Sequence, residues 1–262
     1  MKKNDNLKFG TKEWASYNFN FTNGCSNDCV YCYAKEMAIR FKRKTADTWK
    51  EEELVNLKNK TFSKKSGLIM IPSSHDITLG NIDIALELIE RLVLNGNTLL
   101  IVTKPNYECI KKIVNKFLKF KTQIIFRFTI GSSNNEVLKL WEPNAPSFEE
   151  RYISLKLAYK LGFSTSISCE PLLDNKFDEL YAKVKPYVTS SIWVGKMNMA
   201  AKRVKINTNS TFPIEKVEEL IEWQSDKNII DLYMKYSNKS LIQWKESIKK
   251  VIIKNDKFRI NI

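Results

Sequence analysis

Cysteine is scarce in this chain: five in 262 residues, an odd number. That count argues against a disulfide scaffold. No leader-like segment opens the sequence and no long uncharged apolar run interrupts it. The expectation is therefore a cytoplasmic chain in a reducing compartment, with no membrane span. Eight glycines and seven prolines are too few to build a linker, and repeats and low-complexity tracts are missing. One continuous body is expected. Arginine is scarce as well. Only 7 of the 43 basic residues are Arg and 36 are Lys, so the net charge of +14 reads equally as a solvated lysine surface and as attraction to DNA or RNA.

What the chain does have is apolar material, 43% of its residues, enough for a large core. Short apolar runs alternate with longer amphipathic stretches. Strands are expected at Ser16–Thr22, Leu68–Ile71, Thr98–Thr103, Gln123–Ile130, Phe163–Cys169 and Ser191–Val194. Between them, Asn81–Gly96 carries apolar residues at helical spacing and stops at Gly96. Ser147–Gly162 repeats the arrangement, with Ser147 as N-cap and Gly162 as the stop. Six βα units predict an α/β fold, a partial (β/α)6 TIM-like barrel with parallel strands and right-handed crossovers. Residues 1–210 form its core on this reading. Residues 211–262 read as a helical extension packed on the barrel, anchored by Trp223 and Trp244.

Three of the five cysteines, Cys25, Cys29 and Cys32, fall within eight residues, in "NGCSNDCVYCYA" directly after the first strand. In such barrels the chemistry gathers at the C-terminal ends of the strands. A [4Fe–4S] cube takes one thiolate per iron, so three ligands leave one iron open to an outside ligand. Gly24 and Asn23 tolerate the tight turns such a wrap needs. Two other readings fit the residues: a zinc site completed by His75, Cys109 or Cys169, and reactive thiols with no metal.

C-x3-C-x-aromatic-C after the first strand of a βα barrel resembles the signature of the radical S-adenosylmethionine (SAM) superfamily, with Tyr31 as the aromatic. The likeness runs over about residues 15–175. "IVTK", "FRFTIGS", "WEPNAPSFEERYISLKLAYKLGF" and "SCEP" are similar to the spore photoproduct lyase-like branch, and "SCEPLL" and "IWVG" to related phage and bacterial radical SAM proteins of unassigned function. The resemblance implies a [4Fe–4S] cluster on Cys25, Cys29 and Cys32, and an open iron that chelates SAM. It implies reductive cleavage to a 5′-deoxyadenosyl radical that abstracts hydrogen from a substrate, and a flavodoxin- or ferredoxin-like electron donor. It further implies SAM contacts at Tyr33, Ser74, Lys104 and Thr129, with Glu170 on the adenosine side and Tyr31 and Tyr33 as walls of the site.

Strand alternation agrees with that assignment. Arg127 and Thr129 share one face of the fourth strand, against Phe126, Phe128 and Ile130. A mouth holding a zwitterion turns the polar pair inward, which adds Arg127 to the SAM candidates. On the fifth strand Ser166, Ser168 and Glu170 share a face, and Cys169 lies on the other. The sequence departs from the lyase pattern at "IPSSHDI", where Ser73 or Ser74 stands in place of a cysteine that returns a hydrogen atom to the repaired base. An O–H is a far poorer hydrogen-atom donor than an S–H. The leading expectation is a radical SAM enzyme acting on nucleic acid. The alternatives are a nucleic-acid-binding protein with a structural metal site, and a radical SAM enzyme acting on a protein or small molecule.

Overall fold

The computed structural model describes residues 10–255. Seven strands form one sheet: β1 (Tyr17–Asn18), β4 (Ile69–Ile71), β5 (Leu99–Thr103), β6 (Ile124–Thr129), β7 (Ser164–Cys169), β8 (Ile192–Val194) and β9 (Ile242–Trp244), side by side in that order. Every neighbouring pair is parallel. Since β1 and β9 are the two ends of the order, the barrel stays open on one side. A separate antiparallel ribbon, β2 (Thr22–Asn23) with β3 (Glu53–Leu54), stands at the entrance to the cysteine loop.

Ten helices occur among the described residues. They are α1 (Tyr33–Arg40), α2 (Ile82–Leu94), α3 (Tyr107–Lys116), α4 (Asn135–Trp141), α5 (Phe148–Lys160), α6 (Phe177–Val184), α7 (Ala200–Asn207), α8 (Ile214–Trp223), α9 (Asp226–Tyr236) and α10 (Glu246–Lys254). The expected caps are present. The Ser147 side chain accepts from Glu150 N–H at the start of α5, and Gly96 and Gly162 follow α2 and α5 at positive φ. None of these helices is long and apolar enough to cross a membrane.

Two departures from the sequence reading stand out. The first expected strand is two short pieces, because the chain leaves the sheet after Asn18 and pairs with β3 instead. Residues beyond 211 are not all helical, since β9 adds a seventh strand beside β8. Trp223 and Trp244 do serve as anchors. Trp244 meets Tyr233 at 5.2 Å between ring centroids, and both tryptophans pack against the buried cluster of Ile229, Ile248, Val251 and Ile252.

The main core lies between sheet and helices. Ile69, Ile71, Leu99, Ile101, Phe126, Phe128, Ile167, Cys169, Ile192 and Val194 point outward into it, all fully buried. Each such side chain contributes roughly 1.5–3 kcal/mol of burial free energy. The alternate residues face the barrel interior, where Met70, Leu100 and Val102 pack with Trp14, Leu68 and Ile125. The polar ends of the strands lie beyond this plug, and a cavity opens there, at the C-terminal side of the sheet.

Candidate functional site

The cysteine loop is held by its backbone and by neighbours remote in sequence. Cys25 N–H donates to Trp49 C=O at 2.9 Å, Val30 N–H to Trp141 C=O at 3.1 Å, and Cys32 N–H to Cys29 C=O at 3.1 Å. The Asn207 amide donates to Val30 and Cys32 carbonyls at 3.0 and 2.9 Å, and the Asn144 amide to Ser26 C=O at 3.1 Å. Cys32 itself caps α1, its sulfur accepting from Lys35 N–H. Gly24 sits at φ +97°, where a Cβ would lie 2.3 Å from Glu51 O and 2.7 Å from Trp49 O. Both obstacles are backbone atoms, and the conformation itself disfavours an L side chain. Gly24→Ala is therefore expected to displace the loop and cut the iron bound per chain after anaerobic reconstitution severalfold. Iron content equal to that of the unaltered protein would contradict this account of the loop.

The three thiols are free and line one cavity of about 560 Å³. Burial pushes all three pKa values up, with Asp76 next for Cys25 and a smaller opposing pull from Lys104 on Cys29. Held bare they stay protonated, and only a strongly cationic core makes them thiolates. Among the described residues no three His, Cys, Asp or Glu side chains converge on a single ion. Three free thiols on one short loop, all facing one cavity, match the donor set of a polynuclear centre with one iron per sulfur. The residues considered for a zinc fourth ligand are engaged elsewhere. His75 Nε2 accepts from Phe21 N–H at 3.2 Å and Nδ1 faces Asp76 C=O at 3.1 Å. Cys109 and Cys169 are fully buried in the sheet–helix core.

Behind the cysteines runs a buried chain of charges. Asp76 accepts from Asn27 Nδ2 (2.9 Å), Thr103 Oγ1 (3.1 Å), Lys104 N–H (2.7 Å) and Lys104 Nζ (3.4 Å), and lies 4.0 Å from the Cys25 sulfur. Burial by itself would raise this carboxyl, but the charge and backbone N–H of Lys104, with Asn27 and Thr103, outweigh it and hold its pKa below the ordinary value. Lys104 Nζ also lies 4.0 Å from Glu142, and Glu142 in turn pairs with Arg151 at 2.5 Å, both side chains fully buried. The Tyr31 hydroxyl donates to the same Glu142 carboxylate. Burial and Glu142 together push the Tyr31 pKa well up. Arg151 closes the far end by donating to Pro146 C=O (2.8 Å) and Thr129 C=O (3.3 Å).

Of the residues expected to contact a small ligand, Tyr31, Tyr33, Ser74, Lys104, Thr129 and Glu170 all line the cavity with the three cysteines. Tyr33 donates its hydroxyl to Ser73 C=O. Arg127 does not belong to that wall. It faces the interior as alternation requires, but one layer deeper, its guanidinium 4.8 Å from the Trp14 ring and 5.2 Å from Trp193 and its Nε donating to Ser166 Oγ at 3.0 Å. Alternation sets the face of a strand residue and leaves its depth open.

The opposite wall comes from the strand that the sequence reading missed. Lys245, the residue after β9, is 1% exposed and pairs with Glu13 (2.5 Å), Glu170 (3.4 Å) and Glu246 (3.9 Å). Burial raises the Glu170 pKa from 4.5 to about 7, with Lys245 pulling it down and Glu246 and Glu13 adding to the rise. The folded chain thus keeps a proton that the unfolded chain releases between those values. Glu170 therefore favours the folded state most below pH 4.5, and that contribution is lost as pH rises towards 7. Glu170→Gln is expected to lose less stability between pH 5 and pH 7.5 than the unaltered chain, read from urea midpoints. Equal losses would show that Glu170 ionises normally.

The family model for the Radical SAM superfamily matches residues 19–179, more than half of the chain. The chain belongs to the radical SAM superfamily. Solved structures similar to this radical SAM chain include a spore photoproduct lyase double mutant with bound AdoMet and dinucleoside spore photoproduct, at 19% identity and TM-score 0.55. That alignment covers 79% of this chain and 65% of the other. A single mutant of the same lyase aligns at 16% identity and TM-score 0.57, covering 92% of this chain and 79% of its own. At these identities the likeness is one of fold. The chain spans 65% of the length of the first of these structures. A search of curated proteins found no match.

Three residues of the buried charge network behind the cysteine loop were not singled out in the sequence. Asp76 lies within "SSHDI", in the loop that follows β4 as Lys104 follows β5, and the gathering of site residues beyond strand ends was the available signal. Glu142 and Arg151 lie inside "WEPNAPSFEER", a stretch used for resemblance and given no role. Its role is now visible, since Trp141, Glu142 and Asn144 all brace the cysteine loop.

Proposed function

We propose that this protein is a radical SAM enzyme whose cluster is held by Cys25, Cys29 and Cys32, and whose substrate is a nucleic acid. The observation that carries the reading is the set of three cavity-facing thiols on one braced loop, the two remaining cysteines being buried in the core. Cys25, Cys29 and Cys32 would hold the cluster, and the chemistry it would supply is one-electron reductive cleavage of the SAM sulfonium for hydrogen abstraction.

The chain's own residues prepare that reaction. Asp76 and Glu142 hold Lys104 from two sides, so its ammonium sits 5.8 Å from the Tyr31 ring centroid, and the lysine brings little uncompensated charge. Tyr33, Ser74 and Thr129 offer hydroxyls to the amino-acid end of SAM, and Glu170 offers a carboxylate to the ribose. Met70, Val102 and Trp49 line the same cavity with apolar surface and keep water from a reactive radical. No cavity thiol is left to return a hydrogen atom. Of the five cysteines in the sequence, three are the ligands and two are buried in the core. Ser73, where the lyase-like pattern has its cysteine, is tied to Asn20 by both its N–H and its hydroxyl. The reaction we infer is a hydrogen abstraction that does not finish on a protein thiol in the lyase manner.

The test is transfer of label. Perdeuterated single-stranded DNA and RNA are supplied in turn to the reconstituted enzyme with SAM and dithionite. Deuterium in the released 5′-deoxyadenosine is the expected result. Release of unlabelled 5′-deoxyadenosine with both would move the substrate to a protein or small molecule.

A further inference from the structure

Residues 180–214 contain no Asp or Glu, in a chain with 29 acidic residues among 262. The same stretch carries Lys183, Lys185, Lys196, Lys202, Arg203 and Lys205. Two of these cations, Lys196 after β8 and Arg203 on α7, line the cavity opposite the cysteine loop, and Lys12 joins them. The other cationic side chains of the cavity wall are already compensated, Lys104 by Asp76 and Glu142 and Lys245 by Glu13, Glu170 and Glu246. Lys12, Lys196 and Arg203 have no ion pair and no side-chain hydrogen bond to any described residue. The Arg203 Nε in particular is buried with no acceptor.

These cations are held on a rigid frame. Lys196 N–H donates to Ser247 Oγ at 3.0 Å, and Met197 N–H to Gln224 Oε1 at 2.9 Å. Gln224 is itself buried and donates to Leu172 C=O at 2.7 Å. Met199 then turns through a left-handed conformation at φ +56° and starts α7, whose first residues carry Arg203. Lys196 and Arg203 on this fixed segment, with Lys12 beside them on the cavity wall and none of the three in a direct ion pair with a described residue, form a preorganised anion site. One carboxylate would satisfy the arginine and leave two cations over. Neighbouring phosphodiesters of one strand satisfy all three.

We propose that Lys196, Arg203 and Lys12 bind the phosphate backbone of a single-stranded nucleic acid and so place one of its bases in the cavity. This rests on the radical SAM reading of the same cavity. An enzyme acting on a base takes it out of the stack, and a cavity of about 560 Å³ has room for single groups and not for a duplex.

The test uses the full chain and short fluorescein-labelled single-stranded DNA and RNA of one sequence, titrated across a salt series. Lys196→Gln with Arg203→Gln is compared with Lys119→Gln and Lys121→Gln, which remove the same charge from exposed positions just before β6. The cavity pair is expected to lose about tenfold in affinity and to lower the salt slope by about 1.4, two single-strand phosphates at about 0.7 each, while the control pair moves neither by half as much. Arg203→Lys, which keeps the charge, is expected to retain most of the slope. Equal losses in both double variants would overturn the proposal, as would effective competition by polyglutamate. A loss of SAM affinity with oligonucleotide affinity retained would overturn it too, assigning these cations to the SAM carboxylate. A failure of the radical SAM reading is separately visible, as an unaltered chain that binds oligonucleotide but holds no iron and leaves SAM intact.

Discussion

Replacing Cys29 with alanine is expected to remove the brown colour of the reconstituted protein and its cleavage of SAM together. The loop's geometry makes this substitution clean. Cys29 is 5% exposed, and its contribution to the loop fold is its backbone carbonyl, which accepts from Cys32 N–H. Alanine keeps that bond, and the loop's hydrogen bonds to the Trp49 and Trp141 carbonyls and from the Asn144 and Asn207 amides do not involve the Cys29 sulfur. What is lost is a ligand. The fall in iron bound and in 5′-deoxyadenosine released should exceed the roughly 10–100-fold that follows loss of an outer hydrogen-bond partner. Cys109→Ala, a change in the helical core, is expected to keep both. Retained cleavage in Cys29→Ala would show the ligand assignment to be wrong.

The second large effect is on stability. Glu142→Ala is expected to lower the free energy of unfolding by about 3–5 kcal/mol, because it strands Arg151 as a buried cation. Arg151 and Glu142 are both fully buried and 2.5 Å apart. The arginine's remaining partners are the two carbonyls of Pro146 and Thr129, which cannot supply a charge. Lys104 and the Tyr31 hydroxyl lose an acceptor in the same step. Against a typical total of about 5–15 kcal/mol, such a loss is large enough to read directly from urea unfolding. Glu142→Gln keeps the shape and one acceptor and is expected to fall between. A loss below about 1 kcal/mol for the alanine variant would mean that Arg151 finds another partner and that the network does not brace the loop.

The parts legible in the sequence were those written locally. Five of the six expected strands reappear within a residue or two of their bounds, because each is an apolar run closed by turn residues. The cysteine loop was legible because its three cysteines fall within eight residues. β9 was not, because "KSLIQWKESIKKVI" places Leu241, Trp244, Ile248, Val251 and Ile252 at helical spacing, and only pairing with β8 makes Ile242–Trp244 extended. With β9 went Lys245 and the wall it builds. Asp76, Glu142 and Arg151 share no local pattern, since their network joins the loop after β4, the end of α4 and helix α5 through Lys104. Arg127 shows the converse limit, a face correctly inferred and a depth that needed Trp14 and Trp193 in place.

The central claim is that the three thiols hold an iron–sulfur cluster that cleaves SAM. The most direct measurement is made on protein purified without oxygen, reconstituted with iron and sulfide, and given dithionite and SAM. The account predicts a brown protein that releases 5′-deoxyadenosine and methionine in equal amounts. A colourless protein that leaves SAM intact would contradict it.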